Sequence, residues 1–345
     1  MQKIAIVLAA GNGARMNSTE HIYNKVCYPI LGKPIVGYVL DAIKPLNFDK
    51  TVLVAGVGKD NTIAKFSEEY EIVVQEKQLG TGDAIKQVLE SLPEDDSDIL
   101  VIYGDVPLIQ SETLEKMSHH HAKNKCDATL LTAIVTEPRG QNRVVRDDKT
   151  NEIIRVNDFK EESNGGYLTT EVEVGAYIVK AKHLHNYIPK LKKDRENGEF
   201  SLISIFEDMI SDGLRVDGFI LADNSEAYSI NDRSQLAHAS NVIRRRVNTQ
   251  LMMDGVTIED LRTAFISPDA QIEADTIISP NTTILGKCKI GKGNNIGPNT
   301  YLENVELGSH NKIVFSYITN SKIGDNQEIG PYAHIKDNKV IKGGD

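Results

Sequence analysis

The sequence predicts an α/β domain built on a parallel sheet, followed by a parallel β-helix. Two different periodicities along the chain carry this prediction. Over roughly the first 230 residues, short β-branched runs alternate with amphipathic helical patterns, which is typical of a parallel sheet with helices on both faces. From about residue 262 onwards, aliphatic residues recur at a nearly fixed spacing of about six positions with Gly, Pro, Asn and Asp between them, which is the pattern of a hexapeptide solenoid.

The α/β part contains four candidate strands and the helical patterns that separate them. The strands are expected at 3–9, 50–55, 71–75 and 98–103, and the helices near 34–45, 59–69, 81–92 and 111–123. Ligands of such sheets bind beyond the carboxyl ends of the strands. We therefore expect a binding site in the loops that follow these strands, at 10–16, 56–58, 75–82 and 103–108.

A further helical pattern at 232–250 predicts a helix that connects the two parts. We expect a first domain at 1–231, a connecting helix and linker at 232–261, and a hexapeptide-repeat β-helix at 262–345. The arginines at 244–246 are expected on a solvated helix face or against a neighbouring subunit. The histidines at 119–121 are expected on a solvated helix end rather than around one metal ion, because adjacent helical positions point in different directions.

The solenoid prediction rests on an aliphatic series that keeps its register over more than ten repeats. Its members are Ile266, Ile272, Ile278, Ile284, Ile290, Ile296, Leu302, Leu307, Ile313, Ile318, Ile323, Ile329, Ile335 and Ile341. Each side chain is expected to point into a narrow prism, and three hexapeptides make one coil, so the stretch supplies about four coils. Solenoids of this kind commonly pack as trimers, so we expect a homotrimer formed through the β-helix.

The composition argues against several classes of partner. Asp and Glu (49) outnumber Lys and Arg (39), which leaves a net charge of −10, and the chain has no long basic run. We therefore expect neither nucleic acid nor a membrane as a partner. The apolar runs are far shorter than a membrane span, no signal peptide is expected, and the three cysteines follow no metal-ligand or disulfide pattern. A reduced, cytoplasmic protein is expected.

A glycine-containing loop follows the first strand. Residues 8–16 read LAAGNGARM, and the small side chains would let backbone N–H groups approach an anion closely. Arg15 closes the loop and Lys25 follows ten residues later. Two cations beside such a loop suit a triphosphate, although the sequence is neither a Walker A motif nor G-x-G-x-x-G. Taken alone, the loop could also be a tight strand–helix turn.

Together, these segments resemble the sugar nucleotidyltransferase family. LAAGNGARM is followed by Lys25 and by GKP at 32–34, QEKQLGTGDA lies at 75–84, and YGDVPL lies at 103–108. The last two segments are similar to the base-reading loop and the metal-binding strand end of N-acetylglucosamine-1-phosphate uridyltransferases. The resemblance covers the whole chain. It implies a Rossmann-like nucleotidyltransferase domain followed by a short left-handed parallel β-helix.

The resemblance also implies a reaction. A sugar 1-phosphate, in the first place N-acetylglucosamine 1-phosphate, attacks the α-phosphorus of UTP with Mg²⁺ as cofactor, and pyrophosphate leaves. The nucleophile is already an anion, so catalysis is expected to be positioning and electrostatic stabilisation. Glucose 1-phosphate is an alternative substrate, and dTTP an alternative nucleotide. Alternatives of other classes are an acyltransferase working through the solenoid and a non-catalytic regulatory subunit, which would be expected to lose Arg15, Lys25 or Asp105.

Asp105 and Asn231 are the candidate metal ligands. Asp105 follows the run DILVIYG, so its carboxylate is expected to project from the carboxyl end of a strand. Mg²⁺ takes few protein ligands and keeps substrate oxygens and water around it. Asn231, in SINDR, resembles the family's second ligand. The alternatives are a turn or helix-cap role for Asp105 and an N-cap role for Asn231, which Asp232 could fill instead.

The resemblance assigns the other candidate residues to the substrates. Arg15 and Lys25, the candidate catalytic residues, would hold the triphosphate and the sugar phosphate. The expected substrate contacts are Leu8, Ala9, Ala10, Gly11 and Gly13 in the glycine loop, Gln75, Gly80 and Thr81 at the uracil edge, Tyr103 and Gly104 beside the ribose and sugar, and Glu199 at the sugar. A glutamine side chain can donate and accept at once, as an imide edge requires. Glu199 could instead be an exposed residue at the start of a helix.

Three expected sugar contacts depart from the family pattern. Asn142 stands where the family has glycine, Asp158 is one carbon shorter than the family's glutamate, and Glu173 replaces an asparagine. An ionised glutamate only accepts hydrogen bonds, so Glu173 is expected to favour sugar hydroxyls over an acetamido carbonyl, unless it faces away as sheet surface. Lys336 stands where bifunctional members of the family have arginine, and Asp345 precedes most of their acetyl-transfer residues. No acetyltransferase activity is therefore expected.

Overall fold

The computed structural model describes residues 2–11, 13–16, 24–56, 62, 65–136, 141–157, 169–194, 198–336 and 339–341. The chain divides into two compact units, Met1–Tyr28 with Pro34–Leu236 and Pro29–Lys33 with Ala237–Asp345. The first unit is an α/β domain and the second contains a parallel β-helix, so the predicted fold class is confirmed.

The α/β unit is built on a nine-stranded sheet. In chain order the strands are β1 (Ile4–Ala9), β2 (Pro29–Ile30), β3 (Lys33–Pro34), β4 (Lys50–Ala55), β5 (Glu71–Val74), β6 (Asp98–Tyr103), β7 (Ala128–Ile134), β8 (Arg143–Arg146), β9 (Ile153–Asn157), β10 (Glu171–Lys180) and β11 (Val216–Ile220). β2 and β3 pair with each other outside this sheet, and residues 29–33 belong to the second unit. The helices are α1 (Ile35–Ile43), α2 (Thr81–Val88), α3 (Ser111–Asn124), α4 (Ala181–Tyr187), α5 (Ser204–Ser211) and α6 (Arg233–Met253).

Four neighbouring strands form the parallel part of the sheet. They lie in the order β6-β1-β4-β5, and each matches its predicted range to within one residue. The rest of the sheet departs from the prediction, because β10 runs antiparallel to both β6 and β7. β8 and β9 also pair antiparallel, and β8 joins the sheet where Arg143 pairs with Val172 of β10. The sheet is therefore mixed rather than wholly parallel.

Apolar layers cover both faces of the sheet. Alternate residues of β1 serve the two layers, since successive side chains of a strand point to opposite faces. The layer on one face packs against α2, α4 and α5, and the layer on the other packs against α1 and α3. This arrangement leaves the carboxyl ends of β1, β4, β5 and β6 together at one edge.

The three adjacent histidines of α3 have three different surroundings. His119 is exposed, as predicted, but His121 is buried and contacts the Thr129 hydroxyl at 2.8 Å and an Asp98 oxygen at 3.2 Å. The expectation of a solvated end is therefore wrong for His121.

Within the described ranges, no group of three His, Cys, Asp or Glu side chains could hold a metal ion. No helix that the structure describes is long and apolar enough to cross a membrane.

The β-helix consists of three parallel sheets of five strands each. Its strands are β12 (Thr257–Ile258), β13 (Phe265–Ile266), β14 (Gln271–Ile272), β15 (Ile277–Ile278), β16 (Thr283–Leu285), β17 (Lys289–Ile290), β18 (Asn295–Ile296), β19 (Tyr301–Glu303), β20 (Glu306–Leu307), β21 (Lys312–Ile313), β22 (Tyr317–Thr319), β23 (Lys322–Ile323), β24 (Glu328–Ile329), β25 (His334–Ile335) and β26 (Val340–Ile341). β12 precedes the predicted start at 262, and five strands per sheet make five coils rather than about four.

The predicted aliphatic series lines the interior of these coils. From Ile266 to Ile335 every member is buried, whereas Ile341 at the end is half-exposed. In most two-residue strands the residue before the aliphatic one is exposed. The alternation places one apolar side chain per strand in the prism and explains why the six-residue pattern keeps its register.

We expect Ile278→Ala to lower the free energy of unfolding of the β-helix by about 2–5 kcal/mol, because it leaves a cavity in a closed interior. Ile278 is fully buried, whereas its neighbour Ile277 in the same strand is 36% exposed. The matched variant Ile277→Ala should therefore cost much less. Urea unfolding of the two variants compares them directly, and equal losses would contradict the assignment of inward and outward positions.

Candidate active site

A cavity of about 430 Å³ lies at the carboxyl edge of the parallel strands. It is lined by Leu8, Ala10, Gly11, Gly13, Arg15, Lys25, Val26, Gln75, Gln78, Gly80, Thr81, Ala84, Tyr103, Asp105, Asn142, Asp194, Glu199, Phe200, Ser201 and Asn231. Fourteen of the predicted site residues are in this set. Ala9 is buried in the sheet, and the Gly104 N–H donates to the Leu8 carbonyl at 2.9 Å. Asp158 and most of the loop at 56–58 lie outside the described residues.

The glycine loop and Lys25 are packed against each other. Gly13 has a φ of +61°, and a Cβ there would lie 2.9 Å from the Lys25 Cβ, so only glycine leaves room for the lysine stem. The buried Asn24 donates to the Ala9 carbonyl at 2.9 Å and accepts from the Val26 N–H at 3.1 Å. Asn24 therefore holds Lys25 beside the end of β1, a role that the sequence analysis missed.

Four polar side chains from distant parts of the chain meet at the cavity wall. The Lys25 ammonium lies 2.5 Å from Asp105 Oδ2 and 3.2 Å from Asn231 Oδ1. The Arg15 guanidinium donates to the same Asn231 oxygen at 2.9 Å. The backbone supports the arrangement, because the Ile230 N–H donates to the Asp105 carbonyl at 2.8 Å. Asn231 is thereby placed beside Asp105, although 126 residues separate them in the sequence.

The N-cap role considered for Asn231 is filled by Asp232, as the sequence analysis allowed. Asp232 Oδ1 accepts from the Gln235 N–H at 2.8 Å, and Gln235 Oε1 accepts in return from the Asp232 N–H at 3.2 Å and also from the Asn231 N–H at 2.6 Å. This reciprocal pattern is a capping box, in which Asp232 supplies the N-cap oxygen of α6. The Asn231 side chain is not used as the cap and faces the two cations instead.

Asp105 and Asn231 fit a divalent cation. Asp105 Oδ1 is buried and has no hydrogen-bond partner among the described residues. The other carboxylate oxygen and the Asn231 carbonyl oxygen converge on one positive group, the Lys25 ammonium. A hard cation such as Mg²⁺ takes one or two protein oxygens of this kind and fills its remaining positions with substrate oxygens and water. The donor set therefore suits such an ion.

Two loops are joined at the opposite wall of the cavity. Phe200 N–H donates to the Leu79 carbonyl at 2.6 Å, and Gly82 N–H donates back to the Phe200 carbonyl at 2.8 Å. The α-carbon of Gly80 lies so close to Phe200 that a Cβ at position 80 would be 2.5 Å from the Phe200 carbonyl oxygen. The φ of Gly80, +101°, also favours glycine. These contacts bring the exposed Glu199 to the cavity, ahead of α5 rather than at its start.

Glu173 is placed behind the cavity wall and is not one of the described lining residues. Its carboxylate is buried and accepts from Asn142 Nδ2 at 3.0 Å, from the Gly175 N–H at 2.7 Å and from the Tyr177 hydroxyl at 2.5 Å. Burial raises the pKa of Glu173, and these three hydrogen bonds oppose the shift. Asn142, held by Glu173, is the side chain that reaches the cavity.

The two tyrosines beside Glu173 form one buried group. The hydroxyls of Tyr177 and Tyr103 lie 3.3 Å apart, and their rings meet edge to face with centroids separated by 5.7 Å. Burial, together with the Glu173 charge, raises the pKa of both phenols. Both tyrosines therefore keep their protons at neutral pH and can act as hydrogen-bond donors, and Tyr103 lines the cavity.

We expect Glu173→Gln to lower stability by about 1–3 kcal/mol at mildly acidic pH, because one of the three donors then faces an amide NH₂ group. The loss should shrink as pH rises. The pKa of Glu173 in the folded state lies above the usual 4.5. Between these two pKa values the folded wild type binds more protons than the unfolded chain, so its stability falls as pH rises. Glutamine does not titrate, so the variant shows no such fall. Urea unfolding from pH 4.5 to 8 tests this, and a difference that widens with pH would contradict it.

Comparisons with known proteins agree with this architecture. Residues 5–156 match the family of MobA-like NTP transferase domains, and residues 261–344 match the GMPPB C-terminal domain. The bifunctional protein GlmU of Clostridioides difficile (strain 630) is 36% identical over 332 residues, which is 96% of this chain and 71% of that protein. The bifunctional protein GlmU of Bacillus subtilis (strain 168) is 35% identical over 339 residues, or 98% of this chain and 74% of that protein. The chain therefore belongs to the GlmU family.

Proposed function

We propose that this nucleotidyltransferase transfers the uridylyl group of UTP to N-acetylglucosamine 1-phosphate, giving UDP-N-acetylglucosamine and pyrophosphate. Family membership supports nucleotidyl transfer to a sugar 1-phosphate. The observation that carries the proposal is the meeting of Arg15, Lys25, Asp105 and Asn231 beside the glycine loop. Such a cluster suits two highly anionic substrates that must approach each other, and its presence argues against a non-catalytic subunit.

In the proposed reaction, a phosphate oxygen of the sugar 1-phosphate forms a bond to the α-phosphorus of UTP while the bond to the β-phosphate oxygen breaks. No proton has to move, because both nucleophile and leaving group are anions. Arg15 and Lys25 would neutralise charge on the phosphates and orient them, which is the main requirement of phosphoryl-transfer catalysis. Mg²⁺ held by Asp105 and Asn231 would supply further neutralisation.

The sugar assignment rests on Asn142. Its Nδ2 gives one hydrogen to Glu173 and keeps a second, and its carbonyl oxygen has no donor among the described residues. Asn142 can therefore donate to an acetamido carbonyl and accept from a hydroxyl. Because Glu173 acts through Asn142, the carboxylate at 173 does not itself face the sugar. This arrangement favours the acetamido sugar over glucose, which remains the second candidate substrate.

Gln75, Gly80 and Thr81 would contact the base, and Leu8, Gly104 and Glu199 would contribute to the ribose and sugar subsites. The α/β domain would act as the catalytic domain and α6 as the connector, with a homotrimer formed through the β-helix that begins at β12. We assign only nucleotidyl transfer to these residues. Sedimentation equilibrium tests the trimer.

The proposed reaction is tested by pyrophosphate release with UTP and Mg²⁺, with N-acetylglucosamine 1-phosphate and glucose 1-phosphate compared in parallel. We expect a higher kcat/KM with the acetamido sugar. A higher kcat/KM with glucose 1-phosphate would replace the sugar assignment and leave the chemistry standing. No release with either sugar and any nucleoside triphosphate would remove the proposed reaction altogether.

A further inference from the structure

The Gln75 side chain is held in one orientation by two acceptors. Its Nε2 donates to the Gly80 carbonyl at 3.1 Å and to Asp83 Oδ2 at 2.7 Å. An amide nitrogen carries only two hydrogens, so both are used within the protein. Gln75 lines the cavity, and among the described residues no group donates to its Oε1. The carbonyl oxygen is therefore the atom that this side chain offers to a ligand.

Asp83 determines this orientation more strongly than Gly80 does. Its contact with Gln75 is the shorter of the two, and Asp83 is only 9% exposed. An ionised carboxylate cannot donate, so a rotated Gln75 amide would place its oxygen against the Asp83 oxygen. The neighbouring Gln87 Nε2 lies 3.4 Å from the Asp83 backbone carbonyl and 3.5 Å from Asp83 Oδ2, which is too far to compete with Gln75 for the carboxylate.

We propose that Asp83 is a positioning residue for base selection: it fixes the Gln75 amide so that an acceptor, and not a donor, faces the nucleotide base. This inference rests on the proposed function, in which the base is uracil. Uracil presents an N–H at position 3, which Gln75 Oε1 can accept, whereas cytosine presents a lone pair at the same position. Without Asp83 the amide can rotate and offer its N–H to cytosine.

The purely structural alternative is that Asp83 only stabilises the first turn of α2, where it lies. The two roles are separated by a double-mutant cycle of Asp83→Ala and Gln75→Ala, read out as the ratio of kcat/KM for UTP to that for CTP. A structural role would lower both activities alike, in either background. If Asp83 is a positioning residue, Asp83→Ala changes the UTP/CTP ratio of kcat/KM, and it does so only when Gln75 is present.

We expect Asp83→Ala to lower the UTP/CTP ratio by about tenfold, mainly through a higher KM for UTP, since one oriented hydrogen bond is at stake. In the Gln75→Ala background the same substitution should leave the ratio unchanged. The control Gln87→Ala should keep the wild-type ratio. An unchanged ratio in Asp83→Ala, or an equal decrease in both backgrounds, would overturn the proposal.

Two measurements keep the test decisive. If Asp83→Ala fails to unfold cooperatively, Asp83→Asn replaces it; this amide can still accept through its oxygen, so a smaller decrease of the ratio is expected, and a wild-type ratio overturns the proposal. Wild-type activity is first measured with all four ribonucleoside triphosphates. If UTP is not preferred, the UTP assignment fails by itself, and the same cycle, run on the preferred nucleotide and its runner-up, still decides whether Asp83 acts through Gln75.

Discussion

Asp105→Ala is expected to lower kcat/KM for uridylyl transfer by about 10³-fold or more while the fold stays intact. The substitution removes one of the two oxygen donors that suit the cation and the carboxylate that Lys25 faces. Electrostatic contributions of this kind to phosphoryl transfer reach that size. Stability should change by about 1 kcal/mol or less, because one Asp105 oxygen has no partner in the described structure and the other faces an ammonium that borders the cavity.

The matched control for this variant is Asp98→Asn. Asp98 lies at the other end of the same strand β6 and contacts His121, outside the cavity. The Asp98→Asn variant should leave kcat/KM unchanged. Steady-state pyrophosphate release and thermal unfolding of both variants give the comparison. Normal turnover of Asp105→Ala with Mg²⁺ supplied would remove Asp105 from the proposed metal site.

Lys25→Met is expected to have two effects of opposite sign. Loss of the ammonium should lower kcat/KM by about 10²–10³-fold, because a cation that neutralises phosphate charge is gone. The nucleotide-free protein should nevertheless bind Mn²⁺ more tightly than the wild type. The lysine lies 2.5 Å from Asp105 and 3.2 Å from Asn231, so in the wild type a metal ion must compete with it for the same oxygens.

Mn²⁺ titration followed by electron paramagnetic resonance measures the second effect independently of turnover. The control is Lys86→Met, which replaces an exposed lysine of α2. It should change neither the Mn²⁺ affinity nor kcat/KM. Unchanged Mn²⁺ affinity in Lys25→Met would show that the lysine does not compete with the metal. Unchanged kcat/KM would show that Lys25 does not hold the substrates.

Local periodicity was enough to predict much of the fold. The four parallel strands and the aliphatic series of the solenoid were placed from the sequence to within about a residue, because strand and hexapeptide patterns record which side chains face the core. The orientation of β10 was not predictable in this way. The same alternating pattern suits a parallel or an antiparallel neighbour, and the β8–β9 excursion that reverses the chain has no periodicity of its own.

The candidate site was predicted in outline for a similar reason. Residues that end strands, such as Tyr103 and Asp105, must lie at the carboxyl edge of a parallel sheet. Residues that act by supporting others were missed: Asn24 beside Lys25, Asp83 beside Gln75, and Gln235 in the cap that frees Asn231. Their roles depend on hydrogen bonds whose partners the sequence does not specify.

The sequence by itself therefore determined the two architectures, the edge of the sheet at which the cavity lies and most of the residues that line it. Only the tertiary structure decided which hydrogen-bond donors and acceptors of each polar side chain remain available to a ligand. Glu173 was expected to face the sugar, but three protein donors occupy its carboxylate, and Asn142 takes its place at the cavity. Periodicity reports burial, whereas the donors and acceptors that remain for a ligand depend on contacts between residues far apart in the chain.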